Sequence, residues 1–363
     1  MIDTRMLREF DLILFVTLLV LTGLGILMIY SATFQTASAN LYVRQLQWFV
    51  IGLAVFFIIL QIDYHSLTDF SLLFYLIAIG MLIAVLFFGK RISGAKSWFS
   101  LGYFNFQPSE IAKIASILLL AKYLSDESKT SLVFRDFCVA GLIMGIPVVL
   151  IILQPDIGTT ITFLPPLILL MFLAGMRYKL ILLAVISGVA SMPLFWLFLK
   201  SYQKNRILTF LDPSIDPLGS GYQIIQSKIA VGSGRIFGKG LFSKATQAYL
   251  DYIPEKHTDF IFSILAESFG LIGVVVALAL YFILITRILN TAKQARDRVG
   301  IFITMGILSV FSFHFAVNIG MIVGLMPITG LPLPLMSYGG SSLLSMMVGL
   351  AVVMNIRMRR FVN

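Results

Sequence analysis

Runs of mostly apolar residues recur along the whole chain, each close to the roughly 20 residues a helix needs to cross a bilayer's hydrocarbon. They fall at about 11–31, 46–62, 69–89, 108–124, 137–154, 158–176, 179–199, 260–286, 301–324 and 341–356. In hydrocarbon a backbone can satisfy its polar groups only internally, so runs of this length fold as helices. The expected fold is all-α. It is a polytopic membrane protein, one integral domain over 1–363, built as a bundle of about ten transmembrane helices. A large outer loop, 200–259, separates the seventh span from the eighth.

Composition matters here for what it excludes. The chain is 59% hydrophobic and 12% charged, with mean hydropathy +0.96, against about 25% charged in an ordinary soluble domain. A water-soluble core, a disordered chain and a disulfide-rich scaffold are ruled out. The net charge of +10 would suit a nucleic-acid partner, but the basic residues sit at the ends of apolar runs. Membrane proteins place them there, so membrane lipid is the expected surroundings and no nucleic acid is expected. The single cysteine, Cys138, lies inside an apolar run and has no intrachain partner for a disulfide.

Lys and Arg favour the cytoplasmic side of short loops. With both termini inside, the inner segments hold Arg5, Arg8, Lys122, Lys129, Arg135, Arg177, Lys179, Arg287, Lys293, Arg296, Arg298, Arg357, Arg359 and Arg360. The short outer loops hold only Arg44, Lys90, Arg91 and Lys96. The first run is longer than a signal-peptide core of roughly 7–15 residues. The small-x-small Ala37-Ser38-Ala39 lies well beyond it, so the first span is expected to remain.

Polar residues inside such a protein are costly and mark its working parts. They concentrate on the outer side, in 90–110, 154–160, 200–259 and 325–342, while the inner side is read as poor in embedded acids. No Walker A pattern or GxGxxG occurs, and His65, His257 and His314 are far apart in sequence. Gln107-Pro108-Ser109-Glu110 is echoed by Gln154-Pro155-Asp156. Glu110 and Lys113 sit at i, i+3 on one helix face, after a proline suited to a first helical position. They read either as a structural ion pair or as the lining of a polar cavity, and both can hold.

The outer loop carries Arg206, then Gly219, Gly221, Gly232, Gly234, Gly238 and Gly240, with Lys228, Arg235, Lys239, Lys244 and Lys256 threaded among and after them. Glycines let backbone approach a ligand, and cations beside them suit a diphosphate; such glycines are also ordinary turn residues. Tyr222 to Ala230 is expected to be a short interfacial helix. Ile224, Ile225 and Ile229 form its apolar side, and Gln223, Gln226 and Lys228 are available to a lipid-linked ligand. Where the loop becomes span eight, Asp259, Ser263 and Glu267 follow at i, i+4 and i+8, which puts Glu267 about 12 Å deeper than Asp259. The plain alternatives are a helix cap for Asp259 and a buried hydrogen bond to a neighbouring helix for Glu267.

These motifs resemble the SEDS family (shape, elongation, division and sporulation; RodA/FtsW/SpoVE). The resemblance is carried by Arg44-Gln45, Gln107-Pro108-Ser109-Glu110-x-x-Lys113, Gln154-Pro155-Asp156-x-Gly158-Thr159 and Gly221-Tyr222-Gln223-x-x-Gln226-Ser227. It continues through Pro254-Glu255-x-His257-Thr258-Asp259-Phe260, Pro327-x-Thr329-Gly330-x-Pro332-Leu333-Pro334 and Ser337-Tyr338-Gly339-Gly340-Ser341-Ser342. It covers nearly the whole chain. Lys244-Ala245-Thr246-Gln247 departs from it, since the family usually has Gly before Thr-Gln. The short termini are read as those of the RodA branch.

The resemblance implies a peptidoglycan glycosyltransferase that polymerises lipid II into β-1,4 glycan at the outer face of the bacterial cytoplasmic membrane, in cell elongation and shape or in division. It also implies a class B penicillin-binding protein as partner, lipid II and undecaprenyl-diphosphate-linked glycan as substrates, and Asp259 as the essential acid. Arg44, Glu110, Lys113, Asp156, Arg206, Gln223, Gln226, Lys239, His257, Thr258, Glu267 and Ser337 are the expected substrate-binding residues. A divalent cation such as Mg²⁺ on the diphosphate would fit the chemistry, although no motif encodes it. The competing reading is a lipid II flippase, which needs polar groups running from one side of the membrane to the other.

Overall fold

The computed structural model describes residues 8–361, except 35–39, 93, 103, 126–133, 218, 244–245, 248–251 and 253–255. Ala37-Ser38-Ala39, Arg5, Lys129, Lys244-Ala245 and Pro254-Glu255 therefore lie outside the described residues.

The chain is a helical bundle. In order, its helices are α1 (Leu12–Thr33), α2 (Leu41–Gln61), α3 (Tyr64–Asp69), α4 (Ser71–Phe88), α5 (Pro108–Ser125), α6 (Phe134–Leu153), α7 (Ile157–Ile161), α8 (Leu164–Leu173) and α9 (Tyr178–Phe198). They continue with α10 (Ser201–Leu211), α11 (Ser220–Ser233), α12 (Ile261–Gln294), α13 (Arg298–Ile322) and α14 (Gly340–Met358). Among the described residues, α1, α2, α4, α6, α12, α13 and α14 are long and apolar enough to cross a membrane. The other three expected spans correspond to α5, to α7 with α8, and to α9. The first of these carries Glu110, Lys113 and Lys122, and the second is interrupted at 162–163.

Helix ends fall where side chains can receive the leading amides. Asp11, Asp156 and Asp297 accept from Leu14 N, Thr159 N and Gly300 N at 3.1, 3.1 and 2.7 Å. Such caps stabilise helix starts by about 1 kcal/mol each. α14 is central, with 78% of its apolar window buried, whereas α2 has 22%. Lipid tails are as apolar as leucine, so packing and interhelical hydrogen bonds, not apolar burial, decide which helices meet.

Segment 90–110 is not plain loop. It contains a three-stranded antiparallel sheet, β1 (Lys90–Ile92), β2 (Ala95–Leu101) and β3 (Phe104–Phe106), with Lys90 opposite Trp98 and Phe99 opposite Phe106. Lys96 ties the sheet to the bundle. Its ammonium donates to Leu86 O and Phe87 O at 2.6 and 2.9 Å, closing the end of α4, and its amide donates to Gln154 O.

Span eight is longer than expected and broken. α12 runs to Gln294, and Gly270 leaves helical geometry at φ 64°, ψ −157°. Into that break the 234–240 segment inserts its backbone: Lys239 N and Gly240 N donate to Glu267 O and Ser268 O, while Leu271 N and Ile272 N donate to Arg235 O and Ile236 O. A Cβ on Gly238 or Gly270 would meet the opposing backbone. Of the loop glycines, Gly234 and Gly238 serve this backbone-on-backbone packing.

The expected short helix is present, but its faces differ from expectation. In α11 the buried positions are Gly221, Ile224, Ser227 and Ala230, a stripe at every third residue against α12 and α13, and Ile225 and Ile229 are exposed. Ile224 thus belongs to the bundle core and not to one apolar face with the other two isoleucines.

Candidate active site at the loop end of the bundle

Between α13 and α14 the chain runs from about 324 to 339 without regular structure. Backbone of this kind is tolerated at membrane depth only where protein groups receive it. Here they do, from many elements. Arg206 Nη1 donates to Ile328 O at 3.4 Å, Asn318 Nδ2 to Leu331 O at 2.9 Å and the Tyr281 hydroxyl to Pro334 O at 2.6 Å. Gln45, in the first turns of α2, grips both sides of one turn: its Nε2 donates to Ser337 O and its Oε1 accepts from Gly339 N, each at 3.1 Å.

The turn before α12 docks on this segment. Ser337 Oγ donates to Thr258 O at 2.6 Å and accepts from Leu333 N at 2.9 Å. Tyr338 N donates to His257 O at 2.9 Å, and the two rings meet edge-on with centroids 5.6 Å apart. Burial raises the Tyr338 hydroxyl above its ordinary pKa, and Arg44 beside it opposes the rise. Asp259 O accepts from Asn318 Nδ2 at 3.0 Å. Asp259 is half-buried, and the N-cap of α12 is Phe260, so Asp259 is not the helix cap. It also precedes the helix, which reduces the expected polar stripe to Ser263, bonded to Phe260 O at 2.6 Å, and Glu267.

The Asp259 carboxylate and the Arg206 guanidinium flank one glycine. Arg206 Nη1 and Asp259 Oδ2 each lie 3.9 Å from where a Cβ on Gly330 would stand. Gly330 has φ 75°, a conformation disfavoured for residues with side chains. Farther along the segment, Lys228 lays its ammonium against Gly324. Gln223 and Gln226, on the same helix as Lys228, are half-buried.

A second polar group lies within the bundle. Glu110 and Lys113 are buried and paired at 2.7 Å; Lys113 Nζ also reaches His314 Nε2 at 3.3 Å, and Ser345 Oγ donates to Glu110 Oε2 at 2.5 Å. His314 Nδ1 is 3.3 Å from Pro332 O. A carbonyl only accepts and an ammonium only donates, so His314 is held neutral with its proton on Nδ1. Beyond this group the neighbours are Ile117, Ile307, Val310, Phe311 and Met346, all apolar.

The two Gln-Pro motifs meet. Gln107 Nε2 donates to Asp156 Oδ2 at 3.0 Å, and Asp156 also accepts from the amide and hydroxyl of Thr159. Burial pushes the Asp156 carboxyl above its ordinary pKa, against those two hydrogen bonds. Ser341 Oγ links the first motif to α14 through Gln107 N at 3.1 Å.

A family model described as "Cell cycle protein" (FtsW/RodA/SpoVE) matches residues 11–361. The chain belongs to the FtsW/RodA/SpoVE family. It is 41% identical over 345 residues to peptidoglycan glycosyltransferase MrdB of Escherichia coli strain K12, covering 94% of this chain and 92% of that one. It is 35% identical to peptidoglycan glycosyltransferase RodA of Treponema pallidum, with 98% and 99% covered. Among solved structures it matches a chain from a work on the coordination of polymerization and crosslinking by a peptidoglycan synthase complex, at TM-score 0.84 and 33% identity, covering 98% and 99%. The rod shape determining protein RodA of Thermus thermophilus matches at TM-score 0.74 and 28% identity, covering 98% of each chain.

In this FtsW/RodA/SpoVE-family chain, one gathering holds Arg44, Arg206, His257, Thr258, Asp259 and Ser337 on the irregular segment. Glu110 and Lys113 join it from below through His314, and Asp156 adjoins through Gln107 and Ser341. Lys239 and Glu267 stand apart in a closed network: Glu267 is fully buried and accepts from Lys239 Nζ at 2.6 Å, Ser233 Oγ at 3.3 Å and Gln247 N at 2.9 Å. Ser233 ends α11, so Glu267 does make the expected buried hydrogen bond to a neighbouring helix, and Lys239 and Gln247 add partners from the outer loop.

Sequence reasoning passed over Asn318 and treated His314 as an isolated histidine. The available signal was an amide and an imidazole one turn apart, both in the middle of an apolar run. It also misjudged the opposite end of the bundle. There Asp11 is buried and holds Arg287 and Arg357 at 2.8 and 3.1 Å, while Asp63 and Asp297 hold His65 at 3.0 and 2.7 Å. That side is not poor in embedded acids.

Among the described residues no three His, Cys, Asp or Glu side chains converge as a metal site would require.

Proposed function

We propose that this integral membrane protein is a peptidoglycan glycosyltransferase that polymerises lipid II at the outer face of the bacterial cytoplasmic membrane. The observation that carries the reading is the carboxylate of Asp259 and the guanidinium of Arg206 over Gly330. The donor sugar carries its diphosphate in an α bond and the product bond is β-1,4, so a single in-line displacement with inversion suffices. The acceptor 4-hydroxyl oxygen bonds to the anomeric carbon as the bond from that carbon to the diphosphate oxygen breaks. The hydroxyl proton passes to Asp259 as general base, and the bonding pair leaves with the diphosphate, toward Arg206. Holding two lipid-anchored reactants in register supplies much of the rate. Lys228, Gln223 and Gln226 are available to the lipid-linked diphosphate. A divalent cation, where one is used, would arrive on the diphosphate.

A class B penicillin-binding protein, a transpeptidase, is the proposed partner; the match to a synthase complex that coordinates polymerization with crosslinking supports this. Arg8, Lys293, Arg357, Arg359 and Arg360 at the other end support cytoplasmic termini. A flippase would need polar groups to continue through the bundle, and the space beside Glu110 and Lys113 is lined otherwise by apolar side chains and Ser345, which supports the glycosyltransferase reading over it.

The test is glycan-strand synthesis by purified protein with its partner, lipid II and Mg²⁺. Wild type should polymerise and Asp259→Ala should not; lipid II transport without polymerisation by wild type would overturn the reading. Titrating the same assay with a chelator reads metal dependence. A cysteine near Pro217 should label with an impermeant reagent from outside the cell and one near Arg296 should not, and the reverse pattern would overturn the orientation.

A further inference from the structure

Asn318 is fully buried in α13, within an otherwise apolar run. A buried amide is costly unless its hydrogens find acceptors. Both do, on two separate pieces of chain: Nδ2 donates to Asp259 O at 3.0 Å and to Leu331 O at 2.9 Å. Leu331 follows Gly330, the residue over which the Asp259 carboxylate and Arg206 Nη1 sit. One planar amide thus fixes the distance between the turn bearing the carboxylate and the segment that receives the guanidinium. Four residues earlier, His314 takes the next carbonyl, Pro332 O, at 3.3 Å. The i, i+4 spacing puts both on one face of α13, so consecutive carbonyls of the irregular segment are read by one helix.

We infer that Asn318 is a positioning residue for Asp259, holding the carboxylate in register with Arg206 and the acceptor hydroxyl without touching substrate. The inference rests on the assignment of Asp259 as the base. A misplacement of about 1 Å at a reacting group costs on the order of 10²-fold in rate, and that is the scale to expect.

The experiment is steady-state polymerisation of lipid II by the full chain with its partner. Asn318→Ala should lower kcat about 10²-fold at unchanged KM, the pattern of an interaction lost only in the transition state. Asn318→Ser, which keeps one donor in place of two, should fall between, and covers the case in which the alanine variant does not fold. The double variant Asn318→Ala with Asp259→Asn should be no slower than Asp259→Asn alone, because acting through Asp259 leaves nothing further to lose. Tyr75→Phe is the control: it removes a buried side-chain bond to a backbone carbonyl away from the site, at Ile143 O, and should leave kcat within about threefold of wild type. Equal losses in Asn318→Ala and Tyr75→Phe, or a further loss in the double variant, would overturn the inference. An inactive Asp259→Asn beside an Asn318→Ala of wild-type kcat would overturn this inference alone. A near-wild-type Asp259→Asn would overturn the base assignment and this inference with it.

Discussion

Asp11 and Asp259 stand at opposite ends of the bundle and are held in different ways. The Asp11 carboxylate is fully buried, caps α1 through Leu14 N, and lies against two arginines from α12 and α14. Asp259 is half-buried and anchored by its backbone carbonyl, and its carboxylate lies, with Arg206, beside Gly330. Attraction between charges is strong where water is excluded, and so is the cost of leaving either one alone. Asp11 therefore binds three helices together. Asp259 is only half-buried, and its position is set through its main chain. The two residues separate an acid used as a fastener from an acid held by its backbone.

That contrast can be tested, beginning where the effect is largest. Asp11→Ala strands two partly buried arginines and should cost about 3 kcal/mol or more of stability, read as a lower unfolding temperature in detergent; the protein that stays folded should keep its polymerisation rate. An unchanged unfolding temperature would remove the fastener role. Asp259→Asn should do the opposite, with normal insertion and partner binding and polymerisation down at least about 10²-fold. Near-wild-type turnover would send the search for the base to Asp156 and Glu110.

Exchanging Glu110 and Lys113 is a sharper case. A mutual ion pair alone would tolerate the swap, but a carboxylate would then face the lone pair of His314 Nε2. The swap should be destabilised by about 1–3 kcal/mol relative to wild type, measured by thermal unfolding. Gly330→Ala adds a Cβ in ordinary contact with Asp259 and Arg206 but at positive φ, so it should cost about 1 kcal/mol. His65→Gln, with a half-exposed side chain, should change stability by less than about 1 kcal/mol.

The spans were legible because their signal is a long uninterrupted run, and hydrocarbon admits few alternatives. The β1–β3 sheet was not legible: its strands are three to seven residues long and carry too little period to separate from loop. The break in α12 rests on a single glycine in an apolar helix, a residue that is often tolerated without a break. The motif residues at the site were visible as a set, but their distances were not, because the partners of the 324–339 segment come from residues as distant as Gln45 and Arg206. The buried Asp11 was passed over for the same reason, since its arginines lie 276 and more positions away in the chain.

The irregular segment also bears on how the protein is made. Synthesis proceeds from the N-terminus, so 324–339 is made after Gln45, Glu110, Arg206, Tyr281 and Asn318. Gln45, Arg206, Tyr281 and Asn318 are therefore made before the backbone groups they will bind, and Glu110 before the Ser345 hydroxyl. Until then those polar groups have water or one another as partners. Maturation of the whole catalytic end is thus timed by the arrival of a stretch that is neither helix nor strand.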